Sequence, residues 1–436
     1  MILRLSTSTE RLVILAAALV VAGFLAFFSM RVAWATHSAA LGTEQGLKLA
    51  TRLEPDNSDN WFELGRYWQY DLGNSDNEKA IDAYRQALIR DPHSAESYIN
   101  LATAYESENN IDAARENFRK AKKAYPLSAR VSWRVGNFFL RQGEMDDAFT
   151  QIRASVEADP SRGAEAFSRC LRVEPNIKTV LDRALPEIPS VYVDVIHDLS
   201  GEGRTTEALI VWDRLVALQP KELDLRDVYP LVDALRSKSE ITEAARVWQQ
   251  GVQFAGFANL GDPATSVLWD GGFESGFSNS GYAWFYFPNA RGVQILRDLK
   301  EKHSGRQSLR LTFDGKSDVN FADVCHSVPV APLASYEFSA WAQTRELTSD
   351  EGLRFRIQSR GGTGAAVLTP EIHGTHPWTR IAIPWTAEGN VHEAQVCIVR
   401  LPSDQPDNRI RGAAWVDDVA MAPRSPATDA TGIARP

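Results

Sequence analysis

Hydrophobic and polar residues follow three different periodicities along this chain, and the changes between them divide it. From Leu12 to Met30 no side chain is charged. At about 1.5 Å per helical residue that run reaches roughly 28 Å, close to the thickness of a bilayer's hydrocarbon core. The run is apolar all round and not amphipathic, which predicts a membrane-crossing helix instead of a buried one. From residue 39 to 256 apolar positions recur at helical spacing, and from 264 to 423 short runs alternate apolar with polar residues. The segment 424–436 is polar and proline-bearing, a composition that predicts a disordered tail.

The helical half repeats itself. Pro92, Pro126 and Pro160 are spaced 34 residues apart, and Pro55 stands 37 before Pro92. A 34-residue period predicts a stack of helix-turn-helix units. Residue types recur in register: Ala80, Tyr84 and Ala87 ahead of Pro92, then Ala114, Phe118 and Ala121 ahead of Pro126. First helices carry Trp61, Leu64 and Gly65, then Tyr98, Leu101 and Ala102, then Val135, Gly136 and Phe139. Small residues let paired helices approach, and each proline stops a second helix because its ring cannot extend the hydrogen-bond ladder. The register blurs between Arg162 and Pro189 and recovers in Tyr192, Ala208, Trp212 and Pro220. A weaker final unit carries Leu235, Ala244, Ala245 and Trp248. Five or six helix pairs are predicted, two of them irregular.

These residues resemble the tetratricopeptide repeat family, whose pattern is an aromatic, Leu-Gly, a tyrosine, then Ala, Phe, Ala and a closing proline. The resemblance implies a superhelix whose concave wall is lined by the first helix of each pair and binds peptides or partner helices. By helical position, that wall is expected to include Asp59, Phe62, Arg66, Tyr70, Ile99, Thr103, Glu106, Trp133, Asn137 and Arg141. Their signs are mixed, so no ligand charge follows from the list.

Near Gly261-Asp262-Pro263 the period changes to alternation. The runs Ser308 to Phe313, Ser335 to Gln343, Leu353 to Gln358, Trp378 to Trp385, Ala394 to Leu401 and Ala414 to Met421 are separated by turn residues. They predict an all-β sandwich. Asp270-Gly271-Gly272-Phe273-Glu274, Ser339-Ala340-Trp341, Trp378-Thr379 and Trp415-Val416-Asp417-Asp418-Val419 resemble, in that order, jelly-roll carbohydrate-binding modules and their galactose-binding-like relatives. That family often holds a structural calcium where the first and last strands meet, which implies Glu274 and Asp417 as its carboxylate ligands. It also implies polysaccharide as a ligand. With Leu353, Phe355 and Ile357 turned to the core, Arg354 and Arg356 share the other face, and Trp341 beside them would suit an anionic saccharide. Trp284 and Tyr286, in the run Tyr282 to Phe287, form a second candidate platform.

Composition narrows the classes further. A formal net charge of -9 argues against a nucleic-acid partner. No nucleophile elbow, phosphate loop, His-Glu-x-x-His or EF-hand motif is present. Anchor, repeats and sandwich use nearly the whole chain, so no enzyme and no catalytic residue are expected, and no cofactor beyond that calcium. Of three cysteines, Cys325 and Cys397 lie in predicted strands and are candidates for one disulfide in an oxidising compartment.

The fold class expected is therefore multidomain: a stub and anchor over 1–38 with the span at about 12–30, an all-α repeat superhelix, then an all-β jelly roll. The function expected is a scaffold in the bacterial inner membrane that recruits a protein partner, in surface-polysaccharide assembly or export. The alternative is a glycan-binding surface protein whose repeats act as a stalk. Arg4, Arg11 and the amino terminus precede the span, whereas few cations follow it before Lys48, so the positive-inside bias places the start of the chain in the cytoplasm and the bulk outside. Ala33-Trp34-Ala35 also has the form that signal peptidase accepts. A reporter active only outside the cytoplasm, fused after Pro436, is expected to be active while the protein stays with salt-washed membranes. Activity of a cytoplasm-only reporter would reverse the orientation, and cleavage after Ala35 would make the span a signal peptide.

Overall fold

A computed structural model describes residues 8–71, 73, 75–221 and 223–424. The proposed disordered tail, Arg424 excepted, lies outside the described residues. Packing divides the chain into two compact units that meet between Val191 and Tyr192.

The first unit opens with α1 (Ser8–Ala40), in which Arg11–Ala40 is long and apolar enough to cross a membrane and its most apolar stretch is not covered by the rest of the chain. Only its end is packed, where Ala35 and Ser38 are buried and α2 (Glu44–Leu53) follows through the Thr43 cap. Then come α3 (Ser58–Tyr70), α4 (Asn77–Arg90), α5 (Ala95–Ser107), α6 (Ile111–Ala124), α7 (Ala129–Gln142) and α8 (Met145–Ala158). Asn57, Ser94 and Ser128 cap α3, α5 and α7, each accepting a backbone N–H from the first turn. Each cap follows two residues after Pro55, Pro92 or Pro126, so one short segment both ends a second helix and starts the next first helix.

Inside a pair, close approach requires a missing side chain. A Cβ on Gly65 would stand 2.6 Å from the ring of Tyr84, whose hydroxyl donates to Gln69 at 2.7 Å. Leu64, Trp68, Ala80 and Ile81 surround that contact, with Leu101 and Ala104 from the following pair closing the core. Beyond Pro160 a 3-10 turn leads into two shortened helices, α9 (Gly163–Leu171) and α10 (Ile177–Ala184), where the sequence register blurs. The helix α11 (Pro189–Gly201) crosses the division between units.

The second unit holds the rest of α11, α12 (Thr205–Ala217), α13 (Leu225–Ser237), α14 (Ile241–Phe254) and ten strands. From α3 to α14 there are thus six helix pairs among the described residues. The strands are β1 (Trp284–Tyr286), β2 (Val293–Asp298), β3 (Ser308–Asp314), β4 (Phe321–Pro329), β5 (Ser335–Thr348), β6 (Arg354–Ser359), β7 (Val367–Leu368), β8 (Gly374–Thr386), β9 (Glu393–Arg400) and β10 (Arg411–Pro423). They form two antiparallel sheets, ordered β1-β4-β9-β6-β7 and β2-β3-β10-β5-β8. Between the sheets lie Leu311, Phe338, Phe355, Ile357, Val396 and Val416, all fully buried. Cys325 and Cys397 are directly opposed on β4 and β9, with Cα atoms 4.1 Å apart, and are bonded to each other.

The change from helix to strand comes after α14, yet the division by packing falls some seventy residues earlier. The reason is that α13 and α14 grip the sandwich. Trp248 of α14 meets Trp269 edge-to-face at 5.2 Å and Tyr282 at 6.1 Å. The Gly281 N–H donates to Asp233 at 2.9 Å and its carbonyl accepts from Arg236 at 2.7 Å. Arg236 also pairs with Glu393 of β9 at 2.6 Å, both side chains being buried.

Gly281 has a φ of +61°, and a Cβ there would lie 2.4 Å from Trp248. Gly281→Ala is expected to destabilise the second unit by about 2–3 kcal/mol in chemical denaturation, from left-handed strain plus overpacking. Gly256, also left-handed but with nothing within 4 Å, isolates the strain. Equal losses from Gly281→Ala and Gly256→Ala would show that the Trp248 contact does not constrain this loop.

Candidate functional site

In the first unit the first helices of successive pairs are laced together along one face. The Tyr70 hydroxyl donates to Asn100 at 3.3 Å. Arg130 pairs with Glu96 at 2.7 Å, and Arg141 grips both oxygens of Glu106 at 2.8 Å. Arg169 donates to Asn137 at 3.1 Å. Its guanidinium and that of Arg162 lie 5.2 and 5.5 Å from the centre of the Trp133 ring. These links run from α3 through α5 and α7 to α9, so the side chains involved share one wall.

Most of the expected wall residues stand on it. Asp59, Arg66, Tyr70 and Arg141 are exposed, and Phe62, Thr103, Glu106 and Trp133 are half-buried. Two need correction. Ile99 is buried to 2% exposure, because it packs between helices instead of lining the wall. Asn137 is also buried, its amide donating to the Trp133 carbonyl at 2.7 Å and accepting from Arg169, so it serves the packing between helices and does not stand on the open wall. Sequence reasoning missed Asn100, Arg130 and Arg134. The signal was there, since Arg130 and Arg134 stand one 34-residue period after Glu96 and Asn100. Burial raises the phenol pKa of Tyr70, and Arg134 and Arg66, close by, work against that rise.

The sandwich gives a different result. Trp284 is fully buried, stacked on Phe273 at 4.4 Å, with its indole N–H on the Asp270 carbonyl at 2.8 Å. It belongs to the core and is no sugar platform. Tyr286 is half-buried against Phe277. Trp341 does not stand beside Arg354 and Arg356, because β5 and β6 lie in different sheets and their outer faces are opposite sides of the sandwich. The chain switches sheets between the two strands. Arg354 is instead held by Glu351 at 2.8 Å and Glu371 at 3.2 Å. Arg356 is half-buried on the same face. The Trp341 ring is stacked on His303 at 3.9 Å, and His303 is bonded to Asp418 at 2.5 Å, with Trp378 at its edge. The tryptophan flanked by two arginines is Trp415, which is fully buried beneath Arg310 at 5.3 Å and Arg345 at 5.1 Å and is no platform either.

Glu274 and Asp417 do come together near Gly272, but protein donors fill them. Glu274 accepts the backbone N–H of Arg306 at 2.7 Å and its guanidinium at 3.0 Å. Asp417 accepts the N–H groups of His303, Ser304 and Asp418 at 2.8, 3.1 and 2.8 Å. Among the described residues no group of three or more His, Cys, Asp or Glu converges as a metal set. Calcium prefers six to eight oxygens, so these side chains do not fit it, and they serve to pin the loop 303–306. Asp270 beside them is buried, which pushes its carboxyl up to about 6.

Paired helices at a 34-residue period, followed by two packed antiparallel sheets, make a tetratricopeptide-type helical array and an all-β sandwich. Residues 69–126 and 100–163 match the tetratricopeptide repeat model. The general transcriptional corepressor ssn6 of Schizosaccharomyces pombe is 22% identical over 173 residues, which are 33% of this chain and 15% of that protein. The chain thus spans only a small part of that curated relative. Among solved structures, MamA is 19% identical over 40% of this chain and 85% of its own, with a TM-score of 0.24. YrrB, described as a TPR protein with an unusual peptide-binding site, is 14% identical over 49% and 94%, with a TM-score of 0.26. The xylan-binding domain CBM22-1 from Paenibacillus barcinonensis Xyn10C is 16% identical over 38% and 98%, with a TM-score of 0.26.

One buried group was not anticipated. His326 on β4 is fully buried against the edge of Trp284, with backbone groups of Ser327, Trp269 and Tyr282 near its ring. Burial holds its pKa down to about 3. Because the folded pKa lies below the unfolded value of about 6.5, the stability from His326 is complete above pH 6.5 and is lost as pH falls. Between pH 7 and pH 5 the unfolding free energy is expected to drop by about 2 kcal/mol through this residue alone. His326→Phe should remove that part of the drop, and an unchanged pH profile in the variant would contradict it.

Proposed function

We propose that this chain is a non-enzymatic, membrane-anchored scaffold of the bacterial cell envelope, and that the wall formed by α3, α5, α7 and α9 recruits a protein partner. In this reading α1 is the anchor, the start of the chain lies in the cytoplasm, and repeats and sandwich stand outside. The observation that carries it is the side-chain lacing along the wall. It holds Arg66, Tyr70 and Arg141 exposed in fixed register on one face, which suits recognition of an extended segment. A role in assembling or exporting surface polysaccharide would place the sandwich toward glycan, with the outer face around Trp341 and Trp378 as the surface concerned. The Cys325–Cys397 bond agrees with an oxidising compartment.

The alternative, a glycan-binding surface protein with the repeats as a stalk, is favoured by that same outer face, where Trp341 and Trp378 stand on either side of His303. Photo-crosslinking in intact cells separates the two. A crosslinker at position 66 or 141 is expected to capture a discrete protein, whereas one at position 119 on α6 captures none. Crosslinks absent at the wall, with glycan retained by the sandwich, would establish the alternative.

A further inference from the structure

The repeat array is joined to the apolar helix without a linker. Helix α1 runs unbroken from Ser8 to Ala40, with its side chains exposed from Arg11 to Met30 and its last turns packed through Arg31, Ala35, Ser38 and Ala39. The chain turns back at Gly42, and α2 lies so close against α1 that a Cβ on Gly46 would meet the Ser38 carbonyl. Seven residues back along α1 and seven forward along α2 from that contact, Arg31 stands level with Leu53. Arg31 is also where the uncharged run from Leu12 ends. The loop after α2, residues 54–57, is therefore level with the end of the apolar stretch.

Each later pair leaves that edge and returns to it, because its two helices run antiparallel. Loops 91–94 and 125–128 thus lie on the same edge as 54–57, and Arg90 ties the first two together by donating to the Pro55 carbonyl. The third loop differs in chemistry. Leu127 is 88% exposed, more than any large apolar side chain of α1, and Tyr125 is exposed with it. One 34-residue period earlier the same positions are Asp91 and His93. Lys122 donates to the Pro126 carbonyl at 2.7 Å, which fixes the loop that presents both side chains. Ile89, at the end of α4, is a further exposed apolar side chain on this edge.

We infer that the loop 125–127 inserts into the lipid surface of the membrane that α1 crosses. The inference rests on the anchor reading above and adds a second membrane contact, made by the repeats themselves. An unbroken helix passes its direction on to the array, so α1 turns the edge that carries the loop toward the bilayer. There leucine enters the acyl boundary, and tyrosine suits the headgroup level with its ring apolar and its hydroxyl wet. Trp34, exposed one turn beyond Arg31, marks that level on α1. The loops nearer the span, 54–57 and 91–94, are polar and suit hydrated headgroups. The apolar loop stands two helix pairs out from the span, where a second contact resists rocking of the array more than one beside the span could.

The test uses the full chain in phospholipid vesicles with one environment-sensitive dye on an introduced cysteine, Cys170 being buried and Cys325 and Cys397 bonded to each other. A lipid with a nitroxide near its headgroup is expected to quench dye on Lys123→Cys, beside the loop, about threefold more than dye on Ser107→Cys, at the opposite edge. Adding Leu127→Asp to the Lys123→Cys protein should lower its quenching to the Ser107→Cys value. Tyr125→Asp is the second variant should the first lose its helical circular dichroism. Dye on Leu19→Cys, within the span, reports on the anchor through a lipid with its nitroxide deep in the acyl chain. Equal quenching at 123 and 107, or quenching at 123 that Leu127→Asp leaves unchanged, would overturn insertion, and quenching at 19 would then leave the anchor standing. Absence of quenching at 19 would overturn the anchor and the inference with it. Crosslinks from position 127 to a protein in intact cells, without quenching in vesicles, would give the loop to a protein partner and overturn the lipid contact.

Discussion

Helices in this chain pair closely where one partner presents a glycine or an alanine, and much of the architecture follows from that steric constraint. A Cβ on Gly65 would sit 2.6 Å from Tyr84, one on Gly136 2.9 Å from Ile152, and one on Gly251 2.7 Å from Val228. Each contact joins the two helices of one pair, and they occur in both compact units. Close pairing brings first helices of successive pairs side by side at one repeat spacing. Residues about 34 apart in sequence then become neighbours in space, as Arg130 and Glu96 do.

That neighbourhood explains why the wall is laced by charge. An exposed ion pair contributes at most about 1 kcal/mol and is screened by salt, so these links add little to stability. What they do is hold long side chains in register. Arg141 gripping both oxygens of Glu106 has fewer ways to turn than a free arginine, and a partner meeting it has less disorder to remove. The same matching hides charge, because each paired glutamate cancels an arginine.

Much of this was legible in the sequence because it is local or strictly periodic. The prolines, the caps two residues after them and the small residues at the pair contacts all report on neighbours within one repeat. What could not be read was which strand lies beside which. Trp341 and the arginines of β6 are separated by a dozen residues, yet a switch of sheets puts them on opposite sides of the sandwich. Alternation assigns a residue to a face of its own strand and says nothing about which sheet that strand joins. Trp284 failed for a related reason, since an aromatic run offers no contrast between inward and outward positions. Arg134 was legible as a wall position from the period.

The helices beside the sandwich show a different use of charge. Arg236 and Glu393 are both nearly excluded from water, with Arg360 on the second carboxylate oxygen at 3.0 Å and Tyr282 under the Arg236 guanidinium at 5.0 Å. Burying such a pair removes hydration that the mutual attraction only partly restores, so a well-packed apolar pair could hold the helices about as strongly. An apolar pair would, however, tolerate sliding. Arg236 bonds at once to Glu393 and to the Gly281 carbonyl, and a shift of α13 by one residue would leave a charge buried without its partner. The penalty for misplacement is therefore large while the gain for correct placement is small, which is what selects one register of α13 and α14 on the sheets. With Trp248 seated against Gly281 in that register, the last helix pairs and the sandwich form one unit, and the chain divides at Val191 and not where its secondary structure changes.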